Sequence, residues 1–208
     1  KKHSPLEDID IRNTEFTLPR KWQWEKLGNL VEMYNGRAFK STEWRTEGIP
    51  IIRIQNLNDK NASFNYFKGE LADNHKISNG DFLISWSGTP GTSFGAFIWQ
   101  RGKAALNQHI NKCLFYSDEI NLEFMKLAVN GKLNHFISKA QGGVGLKHVT
   151  KETLNNAILA IPPISEQNRI VSKVNELMAL CDQLQSSLAT AQITQLKLAD
   201  SIVEKAIG

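Results

Sequence analysis

Between Ser165 and Ile207 the sequence contains neither proline nor glycine, and its apolar residues recur at alternating intervals of four and three. Ile170, Val174, Leu177, Cys181, Leu184, Leu188, Ala191, Leu198 and Ile202 form the stripe, with Gln195 and Lys205 completing the register. That spacing is the seam of a coiled coil, and Leu180 and Leu196 widen it. Ser165 suits an N-cap, and Glu166 in the first turn suits the helix macrodipole. At 1.5 Å per residue a helix over 165–208 would span roughly 60 Å, too long to bury against a domain built from the remaining residues. An apolar stripe of that length requires another helix to cover it.

The body preceding this helix has a different character. Leu18-Pro19 introduces Trp22-Gln23-Trp24, whose alternation places both indoles on one face of an extended segment, where core packing is the simplest role. Short apolar runs at 49–54, 80–86, 95–99, 112–116 and 157–161 read as strands, separated by polar loops bearing Gly or Asn. Residues 121–138 switch to helical spacing, and a short polar helix is expected near 150–156. Residues 1–16 carry no apolar period and read as a linker. The expectation is an α+β chain: linker 1–16, a mixed, irregular β-rich globular domain over 17–164, and one long coiled-coil-forming helix over 165–208.

Charge separates the two parts. The helix region holds four basic and five acidic side chains, which leaves 21 of the 25 basic and 16 of the 21 acidic residues in 1–164. A polyanionic partner therefore suits the body and not the helix. No apolar run reaches the length of a transmembrane span, and the first residues lack the apolar core of a signal peptide. The absence of an initial Met suggests an excised fragment or a processed terminus. The two cysteines, Cys113 and Cys181, lie far apart in different contexts, which argues against a disulfide framework or zinc site and for a cytoplasmic setting.

Catalytic signatures are missing. Gly88-Thr89-Pro90-Gly91-Thr92 has the glycines of a phosphate loop without its lysine. There is no Gly-x-Ser-x-Gly elbow, no His-Glu-x-x-His motif, and no Asn/Asp-Pro-Pro-Tyr/Phe tetrad of an amino-methyltransferase. His109 and His148 could each act as a base, yet neither has an activating partner in sequence. We therefore expect no catalytic residue, no metal site and no cofactor in this chain.

What the body does hold is the chemistry of DNA contact: cations for phosphates, and amides or guanidinium groups for base edges. Four loops carry it, at 35–42, 53–56, 85–90 and 141–148, and Asn107-Gln108-His109 adds a polar cluster between apolar strands. The candidates are Arg37, Lys40, Arg53, Gln55, Asn56, Ser87, Thr89, Asn107, His109, Gln141, Lys147 and His148. Each loop alone could be a solvated turn; their shared composition favours binding.

In this order, several segments resemble the type I restriction–modification specificity subunit. They are Leu18-Pro19 with Trp22-Gln23-Trp24-Glu25-Lys26-Leu27-Gly28, then Gly36-Arg37-Ala38-Phe39-Lys40-Ser41 and Ile49-Pro50-Ile51-Ile52-Arg53-Ile54-Gln55-Asn56-Leu57. Gly80-Asp81-Phe82-Leu83-Ile84-Ser85-Trp86-Ser87-Gly88 and Asn107-Gln108-His109-Ile110 follow. The most specific piece is Ile161-Pro162-Pro163-Ile164-Ser165-Glu166-Gln167-Asn168-Arg169-Ile170-Val171, running into the heptad helix. The resemblance implies a non-catalytic target recognition domain followed by one spacer helix. Such a domain reads half of a bipartite double-stranded DNA site and scaffolds methyltransferase and restriction subunits, on which S-adenosylmethionine, ATP and Mg are expected. A complete subunit has two recognition domains and two antiparallel helices, whereas this chain has one of each. Its seam would then pair with the helix of a homodimer mate or of the other half of a longer subunit. Two further readings compete: a structural coiled-coil adaptor that reads no DNA sequence, and a methyltransferase with an unfamiliar motif set.

Overall fold

The computed structural model describes residues 17–88, 93–139 and 147–207. Its strands are β1 (Gln23–Lys26), β2 (Val31–Asn35), β3 (Ile49–Ile52), β4 (Asn65–Phe67), β5 (Lys76–Ile77), β6 (Phe82–Ser85), β7 (Ser87–Gly88), β8 (Gly95–Ile98), β9 (Ala104–Leu106), β10 (Ile110–Phe115), β11 (Lys147–His148) and β12 (Ile158–Ile161). Its helices are α1 (Leu27–Leu30), α2 (Ile54–Asn58), α3 (Leu122–Gly131), α4 (Leu133–Lys139), α5 (Lys151–Asn155) and α6 (Ile164–Ile207). Contacts divide the chain into a globular unit ending at Gln167 and a helical unit from Asn168.

Two four-stranded sheets organise the globular unit. One is antiparallel in the order β2-β10-β6-β8, and the other is mixed in the order β4-β3-β9-β5, with β3 and β9 parallel. All four residues of β6, Phe-Leu-Ile-Ser, are buried, as its apolar run requires of a strand covered on both faces. The pleat of β3 sends Ile52 into a cluster with Leu83, Trp99, Leu106 and Ile110, and Ile51 into a second one with Phe39 and Ala105. The second sheet is thus apolar on both sides. Asn130, near the end of α3, bonds both backbone groups of Ala96 (2.8 and 3.2 Å) and so pairs β8 as a neighbouring strand would.

The expected strands appear with boundaries moved by a few residues. Helical spacing over 121–138 resolves into two helices, α3 and α4, which break between Gly131 and Leu133. The segment 53–56, read as a loop, instead opens the one-turn helix α2, which follows directly from β3. Leu27-Gly28 belongs to the short helix α1, and β1 joins β12 antiparallel, with Trp24 opposite Ala160, so the two ends of the globular unit are stitched together. Residues 1–16, expected to be a linker, lie outside the described residues.

Helix α6 begins at Ile164, so Ser165 sits inside its first turn and is not the flanking cap. The carbonyl of Pro163 accepts from Glu166 N and Gln167 N, at 2.9 and 3.0 Å. Gln167 is 1% exposed and fully engaged: Oε1 accepts from Asn121 N at 2.8 Å, while Nε2 donates to Pro162 O at 3.0 Å and Glu119 O at 3.3 Å. This glutamine explains why the boundary between units falls after residue 167 rather than at 164. Beyond it the helix continues unbroken to Ile207, and the seam from Leu177 to Ile202 is exposed, with Leu184 and Leu188 each at 61%. No helix is long and apolar enough to cross a membrane among the described residues.

Candidate nucleic-acid interface

Strand direction gathers the candidate residues. Because β3 and β9 run parallel, Arg53 and Asn107 leave their strands at the same end, and Asn107 N donates to Ile52 O at 3.2 Å. Arg37 joins them through a bridge to Asn107, with its N–H on Leu106 O at 2.8 Å. That crossing explains Gly36: a Cβ there would fall 2.2 Å from the Asn107 carbonyl oxygen, so any side chain would strike backbone. Ile110 faces Ser85 in the β10–β6 register, which brings Trp86 beside His109, and Trp86 N donates to His109 O at 3.3 Å. The two-residue pairing of β7 with β11 sets His148 opposite Ser87 and Lys147 opposite Gly88. Segments 36–37, 53–55, 86–88, 107–109 and 147–148 therefore form one ridge.

An aromatic cluster lies within it. The rings of His109 and His148 stack at 6.2 Å with 21° between planes, and Trp86 lies 5.6 Å from the first and 5.8 Å from the second. Ser87 Oγ and His148 Nδ1 share a 2.7 Å hydrogen bond that fixes the ring and directs its other nitrogen away from Ser87. Burial, and secondarily the neighbouring His148, lower the pKa of His109 and so favour its neutral form. Trp86 Nε1, Gln108 Oε1, His109 Nδ1, Arg53 Nε and Arg37 Nη1 are buried with no hydrogen-bond partner among the described residues. Buried polar atoms without a partner are uncommon in folded chains, and five of them lie along these segments.

Individual candidates fare differently. Lys40 and Gln55 are exposed, and Arg53 is half-buried. Asn56 is corrected: it is 2% exposed, its Oδ1 accepts from Arg53 N, and its Nδ2 donates to Ala62 O and Ser63 O, so it pins α2 and has nothing to offer a base. Ser87 and Asn107 are also buried, at 3% and 8%, and support their neighbours. Arg37 pairs with Glu43 between the rings of Phe39 and Phe67, which makes it a brace for its loop. A hydrogen bond from Lys40 N, and secondarily the Arg37 pairing, hold the Glu43 carboxyl below its ordinary range. Thr89 and Gln141 lie outside the described residues, and Lys147 is placed by its backbone alone. Trp86, Trp44 and Arg101 were not selected from sequence; the aromatic beside a polar loop was the available signal for the two tryptophans. A groove of about 590 Å³ lies elsewhere, beside Gln23, Glu25, Leu30, Ile161 and Gln167, and none of the candidates lines it.

Sequence comparison gives the class of protein: residues 19–195 match the type I restriction modification DNA specificity domain, and the chain belongs to that family. In particular, it is similar to the type I restriction enzyme EcoAI specificity subunit of Escherichia coli (28% identity, covering 100% of this chain and 37% of the relative). The Escherichia coli EcoBI specificity subunit is 31% identical over 84% of this chain and 36% of its own length. Among solved structures, the HsdS subunit from Thermoanaerobacter tengcongensis superposes with a TM-score of 0.64 over 83% of this chain and 41% of that one, at 17% identity, a likeness of fold. The chain thus spans little more than a third of the curated relatives it matches.

Proposed function

We propose that this chain reads one half of a bipartite double-stranded DNA site through the ridge, without catalysing a reaction. The observation that carries the reading is that Arg53, His109 and His148 sit at or beside the ends of paired, apolar strands, with exposed Gln55 in the helical turn that follows Arg53. Exposed Lys40 suits phosphate contact, whereas guanidinium and amide groups suit base edges. The relatives are specificity subunits of restriction enzymes, which supports a scaffold role toward methyltransferase and restriction subunits. S-adenosylmethionine, ATP and Mg would then belong to those partners, in the cytoplasm. The exposed seam of α6 supports pairing with a second such helix, from another copy or from the remainder of a longer subunit.

Selection from a library of randomised duplexes tests the central point. The proposal expects one short half-site to be enriched by the full chain in complex with its methyltransferase partner. If every sequence is retained equally, the chain is an adaptor and the reading fails.

A further inference from the structure

Among the described residues, three arginines of the globular unit lie against aromatic rings, and two of them also have an internal acceptor. Arg37 pairs with Glu43, and Arg101, stacked 4.4 Å from the Phe64 centroid, donates from Nη1 to Asn56 O at 3.0 Å. Arg53 differs. Its guanidinium carbon lies 5.2 Å from the Trp44 ring centroid, and its Nε is buried with no hydrogen-bond partner among the described residues. No carboxylate there pairs with it.

The platform beneath Arg53 is fixed in place. Trp44 N donates to Ser41 O at 3.2 Å, and Arg45 exchanges backbone hydrogen bonds with Tyr66 at 2.9 and 3.1 Å. The Arg45 guanidinium closes the turn onto Thr42 O and Trp44 O, at 2.9 and 2.8 Å. Trp44 nevertheless remains 38% exposed, at the border of the ridge. Arg53 is anchored at its own backbone by the 3.0 Å bond from its N–H to Asn56 Oδ1. The backbone that carries both partners of the stack is therefore anchored before any ligand arrives.

A guanidinium lying over an indole has one face covered, and with Nε of Arg53 buried, the paired donors left for a ligand are those on its two terminal nitrogens. The acceptor pair that matches such an edge within a base is O6 and N7 of guanine in the major groove. We propose that Trp44 is a positioning residue for Arg53, and that the pair recognises a guanine in the half-site. The inference rests on the reading of the ridge as a sequence-dependent DNA surface.

The test uses the full chain, in the same complex, on the half-site enriched by wild type, with each base pair varied in turn. Arg53→Ala should lower discrimination at one G·C pair by on the order of 10-fold to 100-fold, the range of a lost bidentate contact. Trp44→Ala should lower discrimination at that same pair by roughly 10-fold, as expected when a stacking contact no longer orients the cation. Trp44→Phe should retain most of it, and Trp44→Leu, apolar without a π face, should not. Replacing the guanine by 7-deazaguanine should weaken wild type and leave Arg53→Ala unaffected. Loss that is uniform across positions, full discrimination in Trp44→Leu, or an Arg53-dependent position that is not guanine would each overturn the proposal. Thermal melts distinguish loss of folding from loss of reading, and the contrast between Trp44→Leu and Trp44→Phe keeps the test decisive if Trp44→Ala melts early. A wild type with no preferred sequence removes the underlying reading as well. A wild type that discriminates while its Trp44 variants do so equally removes this inference alone.

Discussion

Replacing Gln167 by alanine tests how the globular unit is locked at the start of the long helix. The wild-type side chain satisfies Asn121 N–H and engages the carbonyls of Glu119 and Pro162, and it does so at 1% exposure. Alanine strands a buried donor and two carbonyls and leaves a void. An orphaned buried group costs about 1–3 kcal/mol, so the variant should lose about 3 kcal/mol in all. For a unit of this size that corresponds to a melting temperature lower by about 6–12 °C. Tryptophan fluorescence is a suitable probe, because Trp22, Trp24, Trp44, Trp86 and Trp99 all belong to the globular unit. Gln167→Glu should be similarly damaging at neutral pH, since a carboxylate keeps the acceptor for Asn121 and sets oxygen against two carbonyl oxygens. Its deficit should shrink as the pH falls and the carboxyl regains a proton. A loss under about 1 kcal/mol in Gln167→Ala would refute the lock, since a single unmade hydrogen bond alone exceeds it.

Asn56→Ala should destabilise the unit by about 2–3 kcal/mol in denaturant titration, because the buried turn loses its anchors, and in the folded fraction it should also weaken discrimination at the Arg53-dependent pair, because Arg53 N loses its acceptor. Lys40→Ala should weaken binding evenly across sequences and reduce the salt slope of log K by about 1, whereas Gln55→Ala should relax discrimination at one base pair. His109, whose pKa is held down, binds fewer protons when folded than when unfolded. Its contribution is therefore complete above its ordinary pKa of 6.5 and is lost as the pH falls from there through the lowered folded value, so melts of wild type should lose stability across that interval and His109→Gln should lose less.

Apolar runs made most of the fold legible. Phe82-Leu83-Ile84 between turn residues, and the heptads after Ile170, each leave the chain one way to bury its apolar atoms. Pairings over long distances in sequence were not legible. Nothing local announces that β3 runs parallel to β9, or that two residues at 147–148 complete β7, because such contacts are decided by the packing of the whole unit. The site follows the same division. Its loops were visible as polar, cationic interruptions, yet composition could not tell an asparagine that faces a ligand from Asn56, which closes a turn inward. Arg37 and Arg53 look alike in sequence; only the positions of Glu43 and Trp44 distinguish a brace from an available cation.

Amide hydrogen exchange on the full chain, with the enriched duplex and with a scrambled one, tests the central claim most directly. The account predicts that the enriched duplex protects amides of Arg53–Asn58, Trp86–Gly88 and Gln108–His109 together, and that the scrambled duplex at the same concentration leaves them unprotected. Equal protection by both duplexes, or protection confined to segments away from this ridge, would contradict it.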